Sequence, residues 1–264
     1  MRISWVRTSN TSSPRATIRY GLHVGPADAG TGEVLAFLDS VFPEPALRVL
    51  EVGCGRGELA SALLARGHAV TALDVDPDAV AAARAAGVPA VVRDFLDGET
   101  EPHDAVLFTR SLHHVGDLER AVSLAAAACA SGGVVVVDEF AREGADAATA
   151  AWFWEQRALL AAAGVLAPPD APEAADPLER WELAYGARRE HRLHTGEAMV
   201  AALRAHLEVE LVETCPYLFR HLAQWLEPTE RGAELAALLL RLERERLARG
   251  ELRPLGLRVV ARPR

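Results

Sequence analysis

The chain has 264 residues, half of them hydrophobic, and a formal net charge of −9. That length suits one enlarged α/β domain or a domain with a cap, and the acidic balance disfavours sequence-independent binding to nucleic acid, which needs clustered cations. All 28 basic residues are arginine, the three cysteines (Cys54, Cys129, Cys215) form no CxxC pair, and no apolar run reaches membrane-spanning length, so no disulfide framework, zinc site or membrane span is expected, and a reducing cytoplasm is the expected setting.

Residues 1–32 are irregular, with Ser, Thr, Pro and Gly clusters; Trp5, Arg19 and Tyr20 are the notable side chains. From Thr31, which suits a helix cap, Val34, Leu35, Phe37, Leu38 and Val41 recur at helical spacing. The stretch 46–78 organises the rest. An apolar run over 47–52 meets Gly53, Gly55 and Gly57; a helical run follows over 58–66, with Gly67 suited to end it. A second apolar run, 69–73, ends in Asp74. Strand, glycine turn, helix, strand and acid in this order predict a βαβ unit with a nucleotide site at its switch point. Glycine lets the backbone turn tightly and lets a ligand lie against the chain. Asp74, 21 residues past Gly53, is placed to accept both ribose hydroxyls. A dinucleotide fingerprint needs Gly-x-Gly-x-x-Gly, but position 58 is Glu, and the pattern is Glu51-x-Gly53-x-Gly55-x-Gly57.

Asp76 and Pro77 then suit the cap and first position of a helix running to about Ala86, with a short strand at 90–92 and Arg93-Asp94-Phe95 after it. A buried-type strand at 105–108 leads into Thr109-Arg110-Ser111-Leu112-His113-His114. An alanine-rich helix over 118–130, a Ser131-Gly132-Gly133 turn and a strand over 134–137 come next, with Glu139 at its end. Further helices are expected over 145–163, 178–185, 195–206 and 229–250, and strands over 207–213 and 255–261; residues 167–177 read as a Pro- and Ala-rich loop.

The glycine turn, Asp74, Asp94 and the run Leu112-His113-His114-Val115-x-Asp117-Leu118, followed by a helix and Gly132-Gly133, together resemble the class I S-adenosylmethionine-dependent methyltransferases over about residues 46–140. The resemblance implies a Rossmann-like α/β fold: a seven-stranded, mostly parallel sheet with the last strand antiparallel and helices on both faces. About 50 residues after strand five form a mainly helical cap. The expected parts are an N-terminal segment and helix over the cofactor (1–45), the cofactor-binding core (46–140), a helical lid (141–195) and the rest of the core (196–264). S-adenosyl-L-methionine is the implied cofactor and S-adenosyl-L-homocysteine the product. Its site is expected at Glu51, Gly53, Cys54, Gly55, Gly57, Asp74, Val75, Asp94, Phe95, Thr109 and Arg110. The resemblance implies that Asp94 accepts from the adenine amino group and that Phe95 packs near the ring.

Ligands of open α/β sheets sit at the carboxyl ends of the strands, so His113, His114 and Glu139 are the candidate catalytic residues, with His113 favoured as base and Glu139 orienting it or acting itself. A capping and packing pair is the competing view. Acceptor contacts are expected from Tyr20, Trp152, Trp181, Tyr185 and His191. The adjacent Trp152, Phe153 and Trp154 cannot all face one core from a helix, which favours a lid or a dimer contact. His191 and His194 lack a third ligand, so no metal is expected. Arg188, Arg189 and Arg192 are either a solvated face or a site for an anionic substrate. Transfer to a small-molecule acceptor is the expected activity, O-methylation of a natural product, sugar or quinone first and N- or C-methylation behind it. The alternatives are a non-methyl reaction such as cyclisation on the same fold, or a non-catalytic cofactor-binding protein. Neither nucleic acid nor membrane is an expected partner, and a homodimer is open.

Overall fold

The computed structural model describes residues 25–42, 46–98, 100–167, 170–186 and 193–264. Tyr20, Arg188, Arg189, His191 and Arg192 lie outside them.

Helix α1 (Ala27–Val41) precedes the βαβ unit formed by β1 (Arg48–Val52), α2 (Glu58–Ala65) and β2 (Ala69–Asp74). The chain continues through α3 (Pro77–Ala85), β3 (Ala90–Val92), β4 (His103–Thr109), α4 (Leu118–Ala128) and β5 (Cys129–Phe140). Asp76 caps α3 by accepting from Asp78 N at 2.9 Å, with Pro77 in the first turn. The seven strands, including β6 (Leu207–Cys215) and β7 (Gly256–Pro263), form one sheet of order β3-β2-β1-β4-β5-β7-β6. Strands β1 to β5 are parallel, and β7 runs antiparallel between β5 and β6.

Alternation along the central strands covers both faces. Leu50, Val106, Phe108, Val135 and Val137 pack with α4 and with α7 (Gly196–His206). Val49, Ala105, Leu107, Val134 and Val136 pack with α1, α2 and α3. A strand buried on both faces needs apolar residues at every position, which is why β4 and β5 read as continuous apolar runs. Strand β5 begins earlier than expected. The Ser131-Gly132-Gly133 segment lies inside it at a register shift opposite His103 and Ala105, with Gly132 at φ +76°. The expected turn is thus an irregular strand entry, and α4 stops at Ala128.

Beyond the carboxyl end of β5 stands a third cluster, built by α5 (Ala147–Ala162), α6 (Pro177–Tyr185), α8 (Leu218–Ala223) and α9 (Glu230–Ala248). It departs from the sequence expectation in two ways. First, the cap is not confined to 141–195: α8 and α9 come from the last quarter of the chain and share its core. Second, Trp152, Phe153 and Trp154 are all buried. Three consecutive helical positions spread around the helix, but α5 is packed against both α6 and α8, so more than one side of it faces protein. The Trp154 indole N–H donates to Pro177 O (3.1 Å), and Arg180 stacks over its ring at 4.2 Å. The Trp181 indole N–H donates to Arg142 O (3.1 Å).

Candidate active site

The glycine turn is drawn onto β2. Both Gly53 N–H (2.8 Å) and Cys54 N–H (2.9 Å) donate to Leu73 O. Gly53 has φ +78°, and a Cβ there would meet Ser111 Cβ at 2.3 Å. Gly55, at φ +55°, has nothing within 4 Å of such a Cβ. One glycine is therefore required by protein packing, whereas the other borders open space. Gly57 supports the turn from behind as the left-handed cap of α2 and does not line the cavity.

That open space belongs to a cavity of about 950 Å³ at the carboxyl ends of β1, β2 and β4. Glu51, Gly53, Cys54, Gly55, Asp74, Val75, Asp94, Phe95, Thr109 and Arg110 all line it. Glu51 is buried, and burial raises its pKa to about 8. Thr109 Oγ1 donates to Glu51 Oε1 at 3.3 Å, while Oε2 has no partner among the described residues. Asp74 Oδ2 accepts from Gly55 N–H (2.7 Å) and Oδ1 from Asp76 N–H (2.9 Å). Each oxygen keeps a lone pair for a ligand donor. Asp94 caps the short turn that begins at Phe95, and the Phe95 ring rests edge-on against Phe108.

The expected catalytic residues divide between the wall and the layer behind it. His114 lines the cavity; His113 and Glu139 do not. Glu139 is fully buried. Its Oε1 accepts from Ser111 N–H (2.7 Å) and Leu112 N–H (2.5 Å), and its Oε2 accepts from Phe140 N–H (3.2 Å) and pairs with His113 Nδ1. Both oxygens of this carboxylate are engaged, and their bonds tie the 111–113 loop to the end of β5. The pairing commits His113 Nδ1 to Glu139.

Of the expected acceptor contacts, Trp152 and Trp181 belong to the cap core, Tyr185 packs against it, and none of the three borders this cavity; Trp181 and Tyr185 meet Phe140 and Phe153 edge-on and each other at a tilt. The cavity's far wall comes instead from α1 (Ala27, Gly30, Thr31, Val34) and α8 (Phe219, Arg220, Ala223). Sequence reasoning missed α8, because six residues are too few to show a helical period. Arg220 is buried, with Nη2 3.2 Å from Asp138 Oδ1 in an orientation that is not a hydrogen bond. Among the described residues, no group of His, Cys, Asp and Glu is arranged to hold a metal, and no helix is long and apolar enough to cross a membrane.

A glycine turn between β1 and α2, an acid ending β2 and a cavity over the strand ends define a Rossmann-like cofactor domain. A model of the methyltransferase domain family matches residues 29–206, most of the chain, and the chain belongs to that family. The ubiquinone biosynthesis O-methyltransferase of Xylella fastidiosa (strain 9a5c) is 32% identical over 117 residues, covering 41% of this chain and 48% of that protein. The chain thus spans about half the length of the curated relatives it matches. Among solved structures, an S-adenosylmethionine-dependent methyltransferase from Mesorhizobium loti is 22% identical with a TM-score of 0.54, covering 86% of this chain and 96% of that one. The N-methyltransferase NodS of Bradyrhizobium japonicum, in complex with S-adenosylhomocysteine, is 16% identical with a TM-score of 0.51, covering 90% of this chain and 87% of that one. These likenesses show the class I methyltransferase fold.

Proposed function

We propose that this chain binds S-adenosylmethionine and transfers its methyl group to an oxygen of a small-molecule acceptor of natural-product, sugar or quinone type. The observation that carries this is the cavity wall inside the family-matched region: a Gly55 backbone open to a ligand, Asp74 and Asp94 with spare lone pairs, and a buried Glu51 oxygen without a partner. These groups fit the cofactor. Asp74 suits the ribose hydroxyls, Asp94 and Phe95 the adenine, and Glu51 with Thr109 the cationic methionyl end. Bound there, the cofactor supplies a methyl group on a sulfonium for in-line displacement.

The chain's own contribution is alignment and exclusion of water. His114, on the wall, takes the hydroxyl proton as the acceptor oxygen bonds to carbon, and a positioned base contributes roughly 10²–10⁴-fold. His113 and Glu139 hold the His114 loop in place. The name of the Xylella relative supports oxygen as the accepting atom. The test is calorimetry with S-adenosylhomocysteine, followed by a screen of phenols, catechols and sugars for its release from S-adenosylmethionine. Micromolar binding with release driven by a hydroxyl compound is expected. Absence of binding at millimolar concentration ends the proposal, and cofactor left unconsumed while an acceptor is converted points to a non-methyl reaction.

A further inference from the structure

Arg110 is the only residue other than glycine with positive φ among the described residues, at +61°. Such a conformation is unfavourable for a non-glycine residue and persists where the surroundings impose it, often at functional sites. The imposing contacts are present: Arg110 N–H donates to Asp138 O (2.9 Å), and the next residue is held by Glu139 and Val52. The exposed side chain lines the cavity and makes no hydrogen bond or ion pair among the described residues.

The charges around it are otherwise matched. Glu139 is engaged by His113 and backbone donors. Asp138 takes a hydrogen bond from Arg258 Nε (2.9 Å) and an ionic contact from Arg220. Glu243 is committed to the backbone N–H groups that begin α8. His221 is neutral, because burial lowers its pKa to about 3, and burial likewise keeps the Tyr217 phenol protonated. The cavity is also lined by the acids Glu51, Glu58, Asp74 and Asp94, of which Glu51 is bonded to Thr109, the neighbour of Arg110, and is near enough to interact electrostatically with Arg110. At the end of β4 the cavity carries Arg110, which makes no ion pair among the described residues, with Arg220 also on the wall.

Resting on the proposed transferase activity, we propose that Arg110 receives a carboxylate inside this cavity. A planar guanidinium binds a carboxylate through two parallel hydrogen bonds. That carboxylate is carried by the acceptor, which makes Arg110 a specificity determinant for hydroxy acids.

Arg110→Asn is the variant of choice, since asparagine tolerates the left-handed conformation; Arg110→Lys retains charge without the fork. Calorimetry is run on the full chain with benzoate against benzamide, in the presence and absence of S-adenosylhomocysteine. A second arm compares S-adenosylhomocysteine with 5′-methylthioadenosine, which lacks the carboxylate. If the acceptor supplies the anion, the wild type prefers benzoate by roughly ten- to a hundredfold, Arg110→Asn abolishes the preference and Arg110→Lys keeps part of it. An Arg110→Asn variant that weakens S-adenosylhomocysteine by a similar factor and leaves 5′-methylthioadenosine unchanged, in a protein with no benzoate preference, gives Arg110 to the cofactor and overturns the proposal. A wild type indifferent to benzoate, with an unchanged ratio between the two nucleosides in Arg110→Asn, overturns the proposal. Failure of the wild type to bind either nucleoside is a different result. It sinks the cofactor assignment, and the benzoate preference of the ligand-free protein then decides for Arg110 alone.

Discussion

Gly53 and Gly55 occupy one turn and share a left-handed backbone, yet they should fail differently when mutated. Gly53→Ala drives a methyl group into Ser111, whose hydroxyl is itself tied to Val52 O at 2.5 Å. Backbone strain and overpacking together should cost about 2–4 kcal/mol in urea unfolding. Gly55→Ala carries only the backbone term of about 1–2 kcal/mol, but its methyl enters the space left for the ligand, so S-adenosylhomocysteine affinity should fall more than stability does. Equal stability losses in the two variants would contradict the packing difference. Glu51 offers a second test. Its folded pKa of about 8 lies above the ordinary 4.5, so the folded state binds more protons between those values. Its stabilising contribution is present below about pH 4.5 and is lost as pH rises through about 8. Denaturation of the ligand-free protein should show stability falling across that window by a few kcal/mol, about 1.4 per pKa unit, and Glu51→Gln should flatten the slope. An unchanged slope in Glu51→Gln would place the titration elsewhere.

Helix α8 depends on a residue far along the chain. Glu243, buried in the middle of α9, accepts from the N–H groups of Tyr217 (2.7 Å), Leu218 (3.0 Å) and Phe219 (2.8 Å). It thereby supplies the amino-terminal acceptors that a helix start requires. Glu243→Ala leaves three buried donors unsatisfied and should cost about 2–4 kcal/mol; Glu243→Gln, which keeps one acceptor oxygen, should cost less. Because α8 carries Phe219 and Arg220 on the cavity wall, Glu243→Ala should also weaken ligand binding, which calorimetry would report. Intact affinity would mean that α8 does not shape the site. This element also marks where the sequence stopped being legible. The β1–α2–β2 unit could be placed from residue types because glycine, apolar runs and Asp74 each have a local meaning. A six-residue helix whose capping acid lies 24–26 positions away has no local signature. The tryptophans misled for a related reason: adjacency on a helix says which directions side chains take, but not how many sides of that helix meet protein. His113 and His114 were recognised as a pair, and only burial separated the one on the wall from the one behind it.

The fold distributes the cavity over distant parts of the chain, and that decides which parts should respond to a ligand. Helix α1 is tied to the cap through the Arg244–Glu33 pair (2.6 Å) and to the sheet through Arg258 Nη2, which donates to Glu33 O at 3.0 Å. The cap helices α5, α6, α8 and α9 share one apolar core, so α5 and α6 cannot swing as a separate lid without exposing Trp152, Phe153, Trp154 and Trp181. Opening such a core would cost roughly 1.5–3 kcal/mol for each large side chain exposed. The surfaces that meet a ligand are the open ones: the glycine turn, the cavity side of α1, and α8 with the Leu226–Pro228 bend. Hydrogen exchange with and without S-adenosylhomocysteine should therefore show new protection in residues 27–34, 53–57 and 217–228. Residues 147–162 and 177–185 should be slow to exchange in both states, since α5 and α6 are packed into the cap core before any ligand arrives. Ligand-dependent protection confined to 152–185, with 217–228 unchanged, would restore the lid that the order of the sequence suggests and would remove α8 from the site.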